Sequence, residues 1–359
     1  VTPQIVIKTQ AAVIRARLNQ PFRTALGTHD SLENVGFILT LGDKTRGYGE
    51  AAVATHITGE TLQGTLRSLK EAGRWLEGKD IRHYLKISTE LRERLSKNKA
   101  ALAAVETALI DALTRQWKIP LWKFFGNKPA PLKTDITIVI ADLNETETTV
   151  KKYYRQGFRQ FKLKIGKDFD LDIRRCHAVK RLAPRCAIYL DVNQGYSAGE
   201  MLKFLSALKR LNIKPALLEQ PVVRSDWEGL KRVTRSTKIP VCADESIRSL
   251  DEAVRCVREK AAGVINIKLM KFGIFESREI AVLARANGVG LMAGGMMETS
   301  LAMTACAHLA AGMGCFQYID LDTPFFIKGS SALGPCLSRR GEYDLRTVKQ
   351  GIGVSFKLL

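Results

Sequence analysis

Lysines and carboxylates stand at the ends of short apolar runs through the middle of the chain. Lys162 and Lys164 lie in FKLKIG, Asp191 in IYLDVNQGY, Glu219 in ALLEQP, Asp244 in VCADES and Lys268 in INIKLM. From Lys164 onward the intervals are 27, 28, 25 and 24 residues, each the length of one strand plus one helix. Three carboxylates gathered at neighbouring strand ends make an all-oxygen site for a hard divalent cation: Mg²⁺ first, with Mn²⁺ the second candidate. Lysines beside such a cation point to base chemistry. A carbon acid next to a carboxylate or amide is too weak for an ordinary lysine to ionise unaided. A cation on the carboxylate oxygens offsets the negative charge as it develops. Burial, the cation and Lys162 are each expected to lower the pKa of the lysines, so that one is neutral near pH 7.

The elements that must carry these residues are legible in the same stretch. Apolar runs occur at ITIVI (136–140), FKLKI (161–165), IYLDV (188–192), ALLEQ (216–220), PVCAD (240–244), VINIK (264–268), VGLMA (289–293) and FQYID (316–320). Charged amphipathic segments lie between them. That alternation predicts parallel strand–helix–strand units, and its regularity favours a closed α/β barrel with reactive groups at the strands' carboxyl ends. Lys162 and Lys164 are two apart on the second run and share a face. Lys268 falls on the sixth run, opposite the second in a ring of eight. Lys164 and Lys268 are therefore expected to face each other across a cation held on strands three to five. One could take a proton from one face of a carbon while the other returns one to the opposite face. Asp320 and Asp322 end the eighth run; two carboxylates so spaced can clamp an ammonium group or cap a loop.

Ahead of the barrel, IVIKTQAAVIRARL and VGFILTLGDKTRGYGEA alternate apolar and polar residues, with a turn signal at Gly42-Asp43. Helical patterns follow at about 61–77 and 100–117. The expected organisation is an α+β domain over residues 1–125, a barrel over 126–325 entered through GNKPAPLK, and a tail over 326–359 that returns to the first domain. No Gly-rich dinucleotide or phosphate loop occurs, which argues against a nucleotide-binding fold.

Composition narrows the class. The 359 residues are 45% hydrophobic and 26% charged, ordinary for a globular protein. The run AALAAVETALIDAL is interrupted by Glu106 and Asp111 and is too short to span a bilayer. No membrane association is expected, no signal peptide is read, and a cytoplasmic location is the expectation. The seven cysteines form no CxxC pair and read as reduced. A net charge of +20 raises the question of nucleic acid. The basic residues are scattered over helix faces without aromatic interleaving, so no specific nucleic-acid partner is expected.

With the motifs KLK (162–164), DVN (191–193), EQP (219–221), DES (244–246) and KLMKFG (268–273), the chain resembles the enolase superfamily, muconate-lactonizing-enzyme subgroup, over nearly its full length. VETALIDALTRQWKIPLWKFFG (105–126) resembles the subgroup's helix leading into the barrel. The resemblance implies a (β/α)7β TIM-like barrel under an α+β capping domain and, with Asp320-Leu321-Asp322, similarity to dipeptide epimerases. It implies a Mg²⁺-dependent inversion of the α-carbon of a dipeptide's C-terminal residue. The route is two-base 1,1-proton transfer through a metal-stabilised enolate. In that scheme Lys164 and Lys268 are catalytic, and Asp191, Glu219 and Asp244 hold the metal. Lys162 assists the substrate carboxylate, Asp320 and Asp322 hold the ammonium, and Thr137, Met296 and Glu298 line the dipeptide pocket. A small-molecule dipeptide is the expected partner, in a homo-oligomer. The rivals within the subgroup are a muconate-type cycloisomerase, an N-succinylamino-acid racemase and an o-succinylbenzoate synthase. Two positions depart from the pattern. Gly27 stands where glutamate-selecting epimerases carry an arginine in a stretch resembling TALRT, so a side chain other than glutamate is expected. Ile274 replaces a usual second glycine, for which a packing change without loss of chemistry is expected.

Overall fold

The computed structural model describes residues 4–25, 27–127, 129–329 and 331–356. Alternation in the N-terminal segment produces a three-stranded antiparallel sheet of Val6–Thr24, Gly27–Leu41 and Arg46–Ala51. The Gly42-Asp43 turn is closed by Thr45 N–H donating to Asp43 Oδ1 at 2.9 Å. Three main helices follow, Leu62–Leu76, Tyr84–Arg94 and Lys99–Gln116. Thr61 and Asn98 cap the first and third with side-chain oxygens that accept from backbone N–H groups. The middle helix carries no strong apolar signal; its sequence reads only as a basic, solvated helix face.

Lys99–Gln116 is buried from Ala100 to Thr114 because the cap sheet covers one side and the barrel the other. Its alanines let the third strand approach closely. A Cβ on Gly47 or Gly49 would lie 1.9 Å from the carbonyl oxygen of Ala108 or Ala104. Only glycine admits that approach.

Eight parallel strands follow in sequence order: Ile136–Ile138, Gln160–Lys164, Ala187–Asp191, Leu217–Glu219, Val241–Ala243, Val264–Lys268, Gly290–Gly294 and Tyr318–Ile319. A helix follows each of the first seven, which gives (β/α)7β. The edges meet where Asp135 N–H donates to the Ile319 carbonyl at 3.0 Å and Leu321 N–H to Thr134 Oγ1 at 2.8 Å. Several strands are shorter than their apolar runs, so Asp244 and Asp320 each fall just beyond a strand end. Their side chains are placed by loop geometry as well as by strand alternation.

Tail residues reach back to the first helical layer. Arg115 donates to the Val354 carbonyl and Ile352 N–H to Asp111 Oδ1 at 2.7 Å, while Glu342–Tyr343 pairs with Leu132–Lys133. All seven cysteines are free. No helix among the described residues is long and apolar enough to cross a membrane.

Candidate active site

Four lysines and four carboxylates interlock at the carboxyl ends of the barrel strands. Lys162 Nζ lies 2.6 Å from Asp320 Oδ2, 2.8 Å from Glu219 Oε2 and 2.9 Å from Asp191 Oδ2. Lys164 donates to Asp191 Oδ2 at 2.6 Å and to Asn193 Oδ1 at 3.0 Å. On the far wall Lys268 Nζ is 2.7 Å from Asp244 Oδ2, and Lys271 donates to Asp244 Oδ1 at 2.8 Å. All these side chains are buried. Pairing is what makes their burial tolerable, because an unpaired charge there would be strongly destabilising.

Electrostatics depart from the sequence expectation for the lysines. Burial favours their neutral form, yet Asp191, Asp320 and Glu219 hold Lys162 well above the usual lysine range. Asp244 and Glu219 likewise outweigh burial and hold Lys268 up. These two lysines sit against carboxylates, not chiefly against another cation, which favours their charged form. In the same way burial is outweighed at Asp191, which Lys162 and Lys164 hold down at about 2. Asp244 is held low by Lys268 and Lys271. Glu219 goes the other way: burial and the neighbouring Asp191 push it up to about 7.

The donor set for a metal is all oxygen, from three adjacent strands. Glu219 Oε2 is buried without an aligned hydrogen bond, although Lys162 lies beside it. Oxygen donors of this kind suit Mg²⁺ or Mn²⁺ and not a thiolate-preferring ion, and each of the three carboxylates is paired with a lysine.

A second acidic group lies across Lys162. Asp135, Asp320 and Asp322 bring carboxylate oxygens within 4.8 Å of one another. The eighth strand ends at Ile319, and Asp322 has helical backbone angles (φ −93°, ψ −5°) ahead of the Thr323–Phe325 turn. The two aspartates therefore do not share a strand face by alternation; a turn brings them together. Asp322 Oδ2 accepts from Thr137 N–H at 2.5 Å, and burial with Asp320 beside it raises its carboxyl to about 7.

A cleft that opens to solvent joins these groups. Thr137, Lys162, Lys164, Asp244, Lys268, Met296, Asp320 and Asp322 all line it. Asp191 and Glu219 lie beneath Lys162 and do not. Glu298 does not reach it either: its carboxylate accepts from Met296 N–H at 2.7 Å, and burial beside Glu50 raises it to about 8. The cap contributes Phe22, Leu32, Val53 and Ile57 to the lining, with His29 and His56 at 3.4 Å Nε2 to Nε2. Arg23 turns outward to pair with Glu145 at 3.0 Å.

Five site residues escaped the sequence reading. Asn193 and Glu245 stood inside the DVN and DES motifs and are bonded to each other at 3.2 Å. Asn266, two residues before Lys268 and so on the same face, donates to Glu219 Oε1 at 2.8 Å. Lys271 follows Lys268 by less than a helical turn. Asp135 precedes the first strand and had no signal beyond being an acid at a barrel edge.

Fold and site together define a barrel enzyme with opposed lysines over an acidic floor, suited to moving a proton on and off a carbon. Residues 7–126 match the mandelate racemase / muconate lactonizing enzyme N-terminal domain, and residues 145–358 the enolase C-terminal domain-like family. The chain belongs to the mandelate racemase / muconate lactonizing enzyme family of the enolase superfamily. It is 47% identical over 352 residues to a hydrophobic dipeptide epimerase of Citrifermentans bemidjiense, covering 96% of each chain. It is 38% identical to an aromatic dipeptide epimerase of Herpetosiphon aurantiacus, covering 98% of this chain and 99% of the relative. A solved dipeptide epimerase of Enterococcus faecalis, complexed with Mg and L-Leu-L-Tyr, superposes with a TM-score of 0.93 at 30% identity. That match covers 98% of this chain and 100% of the other.

Proposed function

We propose that the protein is a Mg²⁺-dependent dipeptide epimerase that inverts the α-carbon of the C-terminal residue. The observation that carries this reading is one cleft lined by both Lys164 and Lys268, from the second and sixth of eight strands, together with Asp320 and Asp322. Asp191, Glu219 and Asp244 would hold the cation, which when bound offsets negative charge on the substrate carboxylate. Lys162, kept charged, faces the same oxygens. Asp320 and Asp322 receive the free ammonium, so the dipeptide spans the cleft between two charged anchors. The α-carbon then lies between the two lysines. One, as the free amine, takes the proton from its face; the other, as the ammonium, returns one to the opposite face. Each lysine serves as the base toward one epimer and as the acid toward the other.

Side-chain preference follows from the lining. Phe22, Leu32, Val53, Ile57 and Met297 offer apolar surface, while Arg23 is engaged by Glu145. An apolar or uncharged C-terminal residue is favoured over glutamate, whose carboxylate would find no bidentate partner among the described lining residues. The relative named a hydrophobic dipeptide epimerase supports the same preference. Incubation of pooled L,L-dipeptides with enzyme and Mg²⁺ in D₂O, followed by mass and chiral analysis, tests the whole reading. One deuterium and an inverted C-terminal centre are expected, first in dipeptides with apolar C-terminal residues. No incorporation into any dipeptide would defeat it.

A further inference from the structure

Asp135 is a buried acid that the proposed reaction leaves unused. It is fully buried, and neither carboxyl oxygen accepts a hydrogen bond from any of the described residues. Its position is fixed at the barrel seam by its own N–H bond to Ile319 and by the adjoining Thr134–Leu321 bond. It does not line the cleft but lies behind Asp320 and Asp322, which do.

Among the described residues, the groups around it supply no free cation. Asp320 and Asp322 face it from beyond the eighth strand, Lys162 from the second and Tyr189 from the third. Lys162 is already shared among Asp191, Glu219 and Asp320, while Asp322 takes the Thr137 N–H. An ionised carboxylate with no donor, sealed beside two others, would be strongly disfavoured. A carboxylic acid is not, because its O–H has carboxylate acceptors in reach. Burial together with Asp320 and Asp322 accordingly raises its pKa well above the usual range.

We propose that Asp135 is a positioning residue of the ammonium clamp, a neutral carboxylic acid whose O–H donates to Asp320 and keeps that carboxylate aimed at the substrate's amino terminus. This rests on the reading that Asp320 and Asp322 receive the ammonium. Asp135 thereby leaves the clamp with two ionisable carboxylates facing the substrate instead of three mutually repelling ones.

Kinetics of wild type, Asp135→Asn and Asp135→Ala on free and N-acetylated dipeptides provide the test, with melting curves as the folding check. The amide N–H of Asn can replace the O–H, so Asp135→Asn should keep KM and kcat within about threefold of wild type. Asp135→Ala should raise KM for free dipeptides about tenfold or more with kcat little changed, as expected for loss of a hydrogen bond to a charged group. Infrared difference spectra of wild type against Asp135→Asn should show a protonated-carboxyl C=O band lost in the variant. That measurement does not need the Ala variant to fold. Asp135→Asn as impaired as Asp135→Ala, an unaffected Asp135→Ala, or no lost band would each overturn the proposal. So would a second Mg²⁺ equivalent, seen by calorimetry, that disappears in Asp135→Asn. If wild type accepts N-acetylated and free dipeptides equally, the clamp reading itself fails. If wild type discriminates but Asp135→Ala binds normally, only the role of Asp135 fails.

Discussion

Lys164 and Lys268 reach the cleft from opposite walls, and each is tied to its own carboxylate, Asp191 or Asp244. They should therefore be separable by substrate stereochemistry. Lys164→Ala should stop epimerisation, lowering turnover about 10²–10⁴-fold, while Lys268 still exchanges the α-proton of one epimer with solvent. Lys268→Ala should show the mirror pattern, read by NMR in D₂O. Loss of exchange from both epimers in either variant, with binding intact, would contradict two separate bases. Asp320 offers a second test at this scale. Its carboxylate is buried against Lys162, so Asp320→Asn should cost about 2–5 kcal/mol of apparent dipeptide affinity. N-acetylation of the substrate should be comparably harmful to wild type, measured as KM.

The helix Leu269–Ala286, which follows Lys268, breaks its own geometry at Gly273 (φ 76°, ψ −179°). Glu106 from the cap helix Lys99–Gln116 enters the break, with Oε1 accepting from Ser88 Oγ at 2.5 Å and Oε2 from Phe275 N–H at 3.3 Å. A Cβ at Gly273 would lie 2.3 Å from Glu106 Oε2. Gly273→Ala therefore combines a left-handed backbone with a clash, and should destabilise by about 1–3 kcal/mol or more in a denaturant melt. A melt indistinguishable from wild type would show that the kink does not need glycine. Ile274, beside it, is fully buried. Barrel strand ends were read to within two residues because apolar runs mark them. The helix Tyr84–Arg94 reads only as a solvated basic face without bounds, since it buries only Ile87, Ser88 and Leu91 and leaves little periodic signal.

At the scale of the molecule, His308 joins three regions. Its Nδ1 accepts from Trp122 N–H at 3.1 Å, and its Nε2 lies 2.9 Å from the Ile352 carbonyl, so the neutral ring with the proton on Nε2 satisfies both. Burial lowers its pKa from 6.5 to about 4. Between those values the unfolded chain binds a proton that the folded one refuses. The contribution is thus complete above pH 6.5 and is lost as pH falls toward 4, by about 3 kcal/mol. Melts of wild type and His308→Gln across that window should converge as the pH drops. Parallel curves would remove His308 as the cause.

The spacing of Lys164, Asp191, Glu219, Asp244 and Lys268 was enough to read a barrel and its acidic, lysine-walled mouth, because every repeat unit brings its strand end to the same rim. The missing arginine at Gly27 was equally plain in one dimension. Other features depend on contacts between residues far apart in the chain, and no local pattern encodes them. Arg23 is turned away by Glu145, 122 residues on. Glu298 is turned inward onto Met296, in a pocket closed by Glu50 of the cap. Lys162 is charged because two strand ends and a loop converge on one nitrogen. Asp135 meets Asp320 and Asp322 because the first and eighth strands close the ring. Sequence period assigns residues to a rim; packing across the ring sets their direction and charge.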